Sequence, residues 1–259
     1  MCTLIALHRC VPGLPLVVAA NRDEYMDRPA EGPALRTGAA GALVAPLDCR
    51  EGGTWLGVGP TGTFAGITNR PCAQRDPERR SRGHLVMDVL AEPDAQAAAR
   101  ALERVPAGAY NPFNLLVADG DNAFVAVYEN EVKVRALTPG IHVVGNADPN
   151  DRRVPKVARL LLESGRAREL APASVTDALA AVCRGHRGFA DPLAETCIHT
   201  PAYGTRSSAL LSYSAPQRPD RLHFAAGPPC ETPYDDFTHL LRELDPGSRP
   251  EMATCEEDR

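Results

Sequence analysis

The opening stretch, Met1 to Glu24, leaves the chain little choice of fold. Thr3–His8 is alternating and apolar, Val11-Pro12-Gly13 is a turn, and Leu14–Ala20 is apolar again. Two extended segments joined by a Pro-Gly turn form a β-hairpin. A hairpin brings the chain back to its start. The polar cluster Asn21-Arg22-Asp23-Glu24, at the end of the return, is therefore expected beside Cys2. With the initiator Met1 removed, Cys2 would carry a thiol and a free α-amine next to a carboxylate. Those are the parts of a nucleophile that supplies its own base.

The remainder of the chain extends the same theme. Arg28–Gly41 is rich in Pro, Gly and Ala and reads as a connection, followed by a short apolar run, Ala42–Ala45. Gly52–Gly59 and Thr63–Asn69 form a second hairpin about Pro60-Thr61-Gly62. The lone Trp55 lies on its first strand, as a core or pocket-wall residue. Helical spacing of apolar residues predicts helices over Ser81–Ala91 and Asp94–Val105. A three-strand meander follows (Phe113–Ala118, Ala123–Tyr128, Val132–Leu137), then a strand at Gly140–Gly145. Val154–Glu163 and Val175–Cys183 are expected helices, the latter opened by a capping box at Ser174-Val175-Thr176-Asp177. Thr205–Tyr213 and Arg221–Ala226 pair as strands. Pro233–Leu244 reads as an amphipathic last helix with Thr232 as N-cap and Phe237, Leu240, Leu241 and Leu244 on its buried stripe. Strands in runs alternating with helices in runs imply antiparallel sheets covered by helical layers rather than βαβ units. Residues 1–245 are read as a single domain and 246–259 as a disordered tail.

Composition excludes several function classes. The chain has 259 residues, 44% hydrophobic and 24% charged, with a formal net charge of -5. That balance is ordinary for a soluble globular protein and unlike a general nucleic-acid binder. The Arg-rich stretch Arg75–Arg82 reads as a solvated loop. Eight cysteines (Cys2, Cys10, Cys49, Cys72, Cys183, Cys197, Cys230 and Cys255) are scattered with no Cys-x-x-Cys pair. Neither a signal peptide nor an apolar run of ~18 residues is present, so no membrane span is expected. The expected compartment is the reducing cytoplasm, with free thiols. No His/Cys/Asp cluster has ligand spacing, so no metal site is expected. Nor is a glycine-rich phosphate loop visible.

Polar clusters recur at strand ends: Asn21–Glu24, Thr68-Asn69-Arg70, Asn146-Ala147-Asp148 and Thr205-Arg206-Ser207-Ser208. Together with Cys2, Gly52-Gly53-Thr54-Trp55-Leu56-Gly57, Tyr110-Asn111-Pro112-Phe113-Asn114-Leu115 and Tyr203-Gly204, they resemble the NRDE family, named for its Asn-Arg-Asp-Glu signature. That family includes the Transport and Golgi organisation protein 2 homologues. The resemblance covers about Met1 to Leu244. It implies the fold of N-terminal nucleophile hydrolases, a four-layer αββα sandwich of two antiparallel sheets between helical layers. Within that group the pattern is most similar to choloylglycine hydrolases and penicillin V acylases. The positions that match their catalytic set are Cys2 (nucleophile), Asp23, Asn146 (oxyanion donor) and Arg206. Asn21, Arg22, Thr68, Asn69 and Trp55 are the corresponding substrate-side candidates. Those hydrolases also carry an Arg three residues before the Asp, where this chain has Ala20. Arg22, adjacent to Asp23 on an extended strand, faces the other way. Their second oxyanion Asn falls at Thr68 or Asn69.

The implied function is acyl transfer on an amide or acyl bond of a small molecule, with no cofactor. The competing function is a haem or hydrophobic-ligand carrier, because eukaryotic members of the family are associated with haem trafficking and lipid or acyl-CoA homeostasis. Seven histidines (His8, His84, His142, His186, His199, His223 and His239) offer axial ligands, none in a spacing that specifies haem.

Overall fold

Strands β1 (Thr3–Val11) and β2 (Leu14–Tyr25) form the expected hairpin, and every residue from Leu4 to Leu7 pairs in register with the return strand. The return runs further than Ala20. Asn21–Glu24 belongs to β2 itself rather than to a loop beyond it. The structure, a computed structural model, describes residues 2–244, so the expected tail at 246–259 lies outside the described residues.

After the hairpin come β3 (Ala30–Gly38), β4 (Gly41–Asp48), β5 (Leu56–Val58), β6 (Phe64–Asn69), helices α1 (Arg82–Leu90) and α2 (Ala95–Glu103), and β7 (Phe113–Ala118). The chain continues through β8 (Ala123–Tyr128), β9 (Val132–Ala136), β10 (Gly140–Val144), α3 (Pro155–Gly165) and α4 (Pro172–Cys183). It closes with β11 (Tyr203–Ala215), β12 (Arg218–Ala225), β13 (Asp235–Asp236) and α5 (Thr238–Arg242). One sheet has the order β10-β1-β2-β11-β12-β13 and the other β3-β4-β5-β6-β7-β8-β9. All the strand pairs are antiparallel.

Period-two alternation sorts the strand residues into layers. Leu4 and Ala6 of β1 and Leu16, Val18 and Ala20 of β2 face Val58, Phe64 and Leu116 of the other sheet. The intervening Ile5, Leu7, Val17 and Ala19 pack under α3 and α4 with Leu160, Val175 and Leu179. On the far side, Leu85, Val86, Val89 and Leu90 of α1 and Ala98 and Leu102 of α2 cover Ala65, Leu115 and Val117. The result is the expected αββα sandwich. Both central strands are apolar on two faces because each face is covered.

Three local expectations are corrected. Arg28–Gly41 contains a strand, β3, despite its Pro and Gly. It is the edge of its sheet, and the register shift between Glu31 and Ala34 absorbs Pro33 where no ladder bond is lost. Helix α4 begins at Pro172, with no side-chain cap, rather than at a Ser174 capping box. Proline at the first helical turn sacrifices an N–H that would be unpaired anyway, so the helix starts earlier. Finally, Pro233–Leu244 is not one helix. Asp235 and Asp236 pair with Phe224 and His223 as β13, leaving only Thr238–Arg242 helical, capped by Phe237 rather than Thr232. The expected stripe still packs inward, with Leu241 and Leu244 buried between the sheets.

Candidate active site

The polar clusters stand where strands β2, β6, β10 and β11 begin or end. Thr3 pairs with Asn21, so one step along the same register sets Cys2 across from Arg22. Cross-strand partners share a face, and this face looks between the sheets. Arg22 and Cys2 accordingly line one cavity of about 340 Å³, with Trp55, Asn69, Arg82 and Tyr203 among its other walls. The Arg22 guanidinium lies 4.3 Å from the centroid of the Trp55 ring, a cation–π stack.

Asp23 points to the opposite face, as its place on an extended strand requires. Thr205 Oγ1 donates to its Oδ1 at 2.6 Å, and the Tyr203 hydroxyl donates to its backbone carbonyl at 2.7 Å. Burial pushes the carboxyl up to about 6, opposed chiefly by the positive charge of Lys156 on α3. Burial likewise raises the Cys2 thiol. The Asp23 charge adds to that, while the Asp23 backbone N–H and Arg22 act against it. In this environment the resting sulfur is a protonated thiol that needs a base.

The cavity is strongly cationic. Arg22, Arg28, Arg50, Arg75, Arg79, Arg80 and Arg82 line it against only Glu24, Asp48 and Glu51. Most of these arginines are already paired: Arg28 with Asp48 at 2.5 Å, Arg79 with Asp76 at 3.3 Å and Arg80 with Asp88 at 2.5 Å. Arg22 and Arg82 have no carboxylate within ion-pair distance among the described residues. Burial depresses the pKa of both, and both sit close enough to feel a charge on Cys2. The stretch Arg75–Arg82, expected as a solvated loop, is thus a wall of the cavity. Asn111 anchors it by accepting from Asp76 N and donating to Asp76 O.

The three oxyanion candidates stand in different surroundings. Thr68 is fully buried and its hydroxyl donates to Gly145 O at 2.5 Å. Asn69 lines the Cys2 cavity. Asn146 lies in a neighbouring cavity with Thr3 and Lys156, and its Nδ2 donates to Asn69 O at 2.5 Å. One of its two amide hydrogens is therefore spent on holding Asn69. The buried Asn114 donates to Gly145 O and Ala147 O and accepts from Arg70, pinning the turn that carries Asn146.

Two other candidates fall elsewhere. Asn21 is buried on the helix-covered face, where its Nδ2 donates to Cys183 O and Thr196 O, both at 2.9 Å. It is a latch between sheet and helical layer. Arg206 occupies the register shift between Thr205 and Ser207, which turns it from Asp23. It lines a smaller cavity of about 70 Å³ with Trp55 and Phe224, and its Nη1 lies 3.6 Å from Met26 Sδ. Thr205 and Lys156, rather than Arg206, act on the Asp23 carboxylate. Lys156 had one faint signal: the chain has 26 arginines and only two lysines. A lysine, the compact cation whose pKa yields to burial, stands out against that background.

The fold is an αββα sandwich with a cysteine just ahead of its first strand. Two solved structures share the fold. The N-acylethanolamine-hydrolyzing acid amidase ortholog of Caenorhabditis elegans matches at TM-score 0.56 and 16% identity, over 83% of this chain and 94% of that one. A C2A mutant of conjugated bile acid hydrolase from Clostridium perfringens matches at TM-score 0.56 and 11% identity, over 92% and 93%. The chain belongs to the Transport and Golgi organisation 2 family, whose pattern covers residues 1–220. It is 32% identical to the Transport and Golgi organization protein 2 homolog of Bos taurus and 30% identical to that of Homo sapiens. Each match covers 77% of this chain and 82% of the relative.

Proposed function

We propose that this chain is an N-terminal cysteine hydrolase or acyltransferase that cleaves an amide or acyl bond of an anionic small molecule. The observation that supports it is the cavity of about 340 Å³ that Cys2 shares with Arg22 and Arg82. A buried guanidinium without a carboxylate is unfavourable unless a ligand supplies the negative charge. A substrate carboxylate or phosphate held there would leave its acyl carbonyl against the Cys2 sulfur.

The chemistry begins once Met1 is removed. The freed α-amine, with an ordinary pKa of about 7.7–8.0, takes the thiol proton directly or through one water. The thiolate attacks the carbonyl carbon, and the tetrahedral oxyanion accepts hydrogen bonds from the Asn69 amide, the remaining Asn146 N–H or a backbone N–H. Such a donor contributes about 3–4 kcal/mol. Asp23 orients the ammonium, which returns its proton to the leaving group as the carbon–nitrogen or carbon–oxygen bond breaks. Water, or an acceptor amine or alcohol, then releases the thioester. A reducing cytoplasm keeps Cys2 as the thiol that this sequence of steps requires.

Intact mass and turnover test it. The purified protein should lack Met1 and should hydrolyse some member of a panel of carboxylate- or phosphate-bearing N-acyl amides, with Cys2→Ala at least ~10³-fold slower. Retained Met1, or undiminished turnover in Cys2→Ala, would overturn the reading. The haem-carrier alternative draws no support from this cavity, which no histidine lines among the described residues. A stoichiometric Soret shift on haemin titration would revive it.

A further inference from the structure

Away from the Cys2 cavity, two connections that have no sequence neighbourhood in common bring four soft donors together. His186, Cys197 and His199 lie between α4 and β11, and Cys230 lies between β12 and β13. One donor atom from each falls within 4.8 Å of all the others. Cys197 Sγ is 3.5 Å from Cys230 Sγ and 3.6 Å from His199 Nε2, and His199 Nε2 is 3.1 Å from Cys230 Sγ. A tetrahedron with Zn–S of about 2.3 Å and Zn–N of about 2.0–2.1 Å has edges of about 3.3–3.8 Å. Cys197, His199 and Cys230 already stand close to those spacings, and His186 lies within 4.8 Å of all three. The sequence shows no ligand spacing, and tertiary contact is what brings these donors together.

We infer that His186, Cys197, His199 and Cys230 bind one Zn²⁺ in a closed structural site. Two thiolates would cancel the ion's charge. Thiolate and imidazole donors in a four-coordinate set favour zinc over magnesium or calcium. His199 is turned for the task. Its Nε2 faces the sulfurs, while its Nδ1 points toward Glu231 Oε1 3.9 Å away, on the side from which a carboxylate can orient a metal-binding imidazole. Cys197 and His199 alternate on an extended segment, so both face the cluster while Ile198 between them is fully buried.

That segment is held by hydrogen bonds such as Cys197 N–H to Gly185 O and Asn21 to Thr196 O, with little regular structure of its own. Between α4 and β11 the chain has only one short 3-10 turn, Pro192–Ala194. Long connections of this kind either move or are pinned. A metal joining it to the Cys230 loop would hold Ile198, whose N–H donates to Thr205 Oγ1 at 2.8 Å. Thr205 in turn donates to Asp23. The Thr196 carbonyl that accepts from Asn21 lies on the same segment. The zinc would therefore be two hydrogen bonds from the Asp23 carboxylate, in a positioning role that does not depend on the hydrolase reading.

Metal analysis of the full chain, untagged and purified in reductant without chelator, should find about one zinc per molecule. Cys230→Ser and Cys197→Ser should each fall to a small fraction of that, while Cys49→Ser, an exposed cysteine outside the cluster, should retain it. Cys197 is buried and its variant risks misfolding. Cobalt reconstitution of the wild-type apoprotein supplies the second measurement, with tetrahedral d–d bands and thiolate-to-cobalt charge transfer. Reduced protein that takes up neither zinc nor cobalt would overturn the site. So would a Cys197–Cys230 disulfide in place of metal, or full zinc content in a folded Cys230→Ser protein.

Discussion

Burial raises the Asp23 carboxyl from 3.8 to about 6, and Lys156 only partly offsets it. The folded value exceeds the unfolded one, so between those two pH values the native state binds more protons than the unfolded chain. Stability then falls as pH rises from about 4 to about 6 and is level above, with a loss of about 3 kcal/mol. Asp23→Asn keeps an acceptor for the Thr205 hydroxyl and removes the ionisation. Urea unfolding should find the variant more stable than wild type by up to about 3 kcal/mol at pH 8 and equal to it near pH 4. An equal gain at both would show that ionisation is not the cause. Asn21 predicts the opposite sign. Its amide satisfies two buried carbonyls, at Cys183 and Thr196. Asn21→Ala should lose about 2–3 kcal/mol in the same assay, because both acceptors are left dry and unpaired.

At the scale of elements, the strands that were legible are those whose apolar run is bounded by turn residues, such as Phe113–Ala118 and Ala123–Tyr128. Helices α1 and α2 were legible from spacing alone, and Asp94, whose side chain accepts from Ala97 N at 2.6 Å, marks the start of α2. What escaped were elements defined by a partner. Strand β3 exists because β4 offers it a ladder, and β13 exists because β12 does. Periodicity cannot register either. The second hairpin turn was legible for a physical reason that can be checked. Gly62 sits at φ +85°, and a Cβ there would run into the Gln217 carbonyl of the β11–β12 turn. Its own carbonyl accepts from the buried Tyr213 hydroxyl at 2.7 Å, tying the two sheets together. Gly62→Ala should therefore lower stability by at least about 2 kcal/mol, combining left-handed strain with displacement of that contact. A loss under about 0.5 kcal/mol on thermal unfolding would mean the turn relaxes freely.

Over the whole molecule, charge is segregated. The chain carries a net charge of -5, yet seven arginines face three carboxylates around Cys2. The polar clusters at strand ends were legible because each keeps its residues together in sequence, as in Asn21–Glu24 and Thr68-Asn69-Arg70. The cation pattern was not, because Arg22 and Arg82 are far apart in sequence and only the fold shows that neither has a carboxylate partner among the described residues. Cations that face a cavity without a carboxylate trade stability for binding. Arg22→Met preserves the aliphatic packing against Trp55 and removes a desolvated charge, so the unliganded variant should match or exceed wild-type stability. Inorganic phosphate at low ionic strength should raise the wild-type melting temperature, by the equivalent of about 2.7 kcal/mol when its concentration reaches 100 times Kd. The rise should vanish in Arg22→Met, and sodium chloride at matched ionic strength should not reproduce it, because general screening lacks the geometry of a bidentate anion. Identical phosphate responses in the two proteins would place the anion elsewhere and remove the electrostatic reason for an anionic substrate at Cys2.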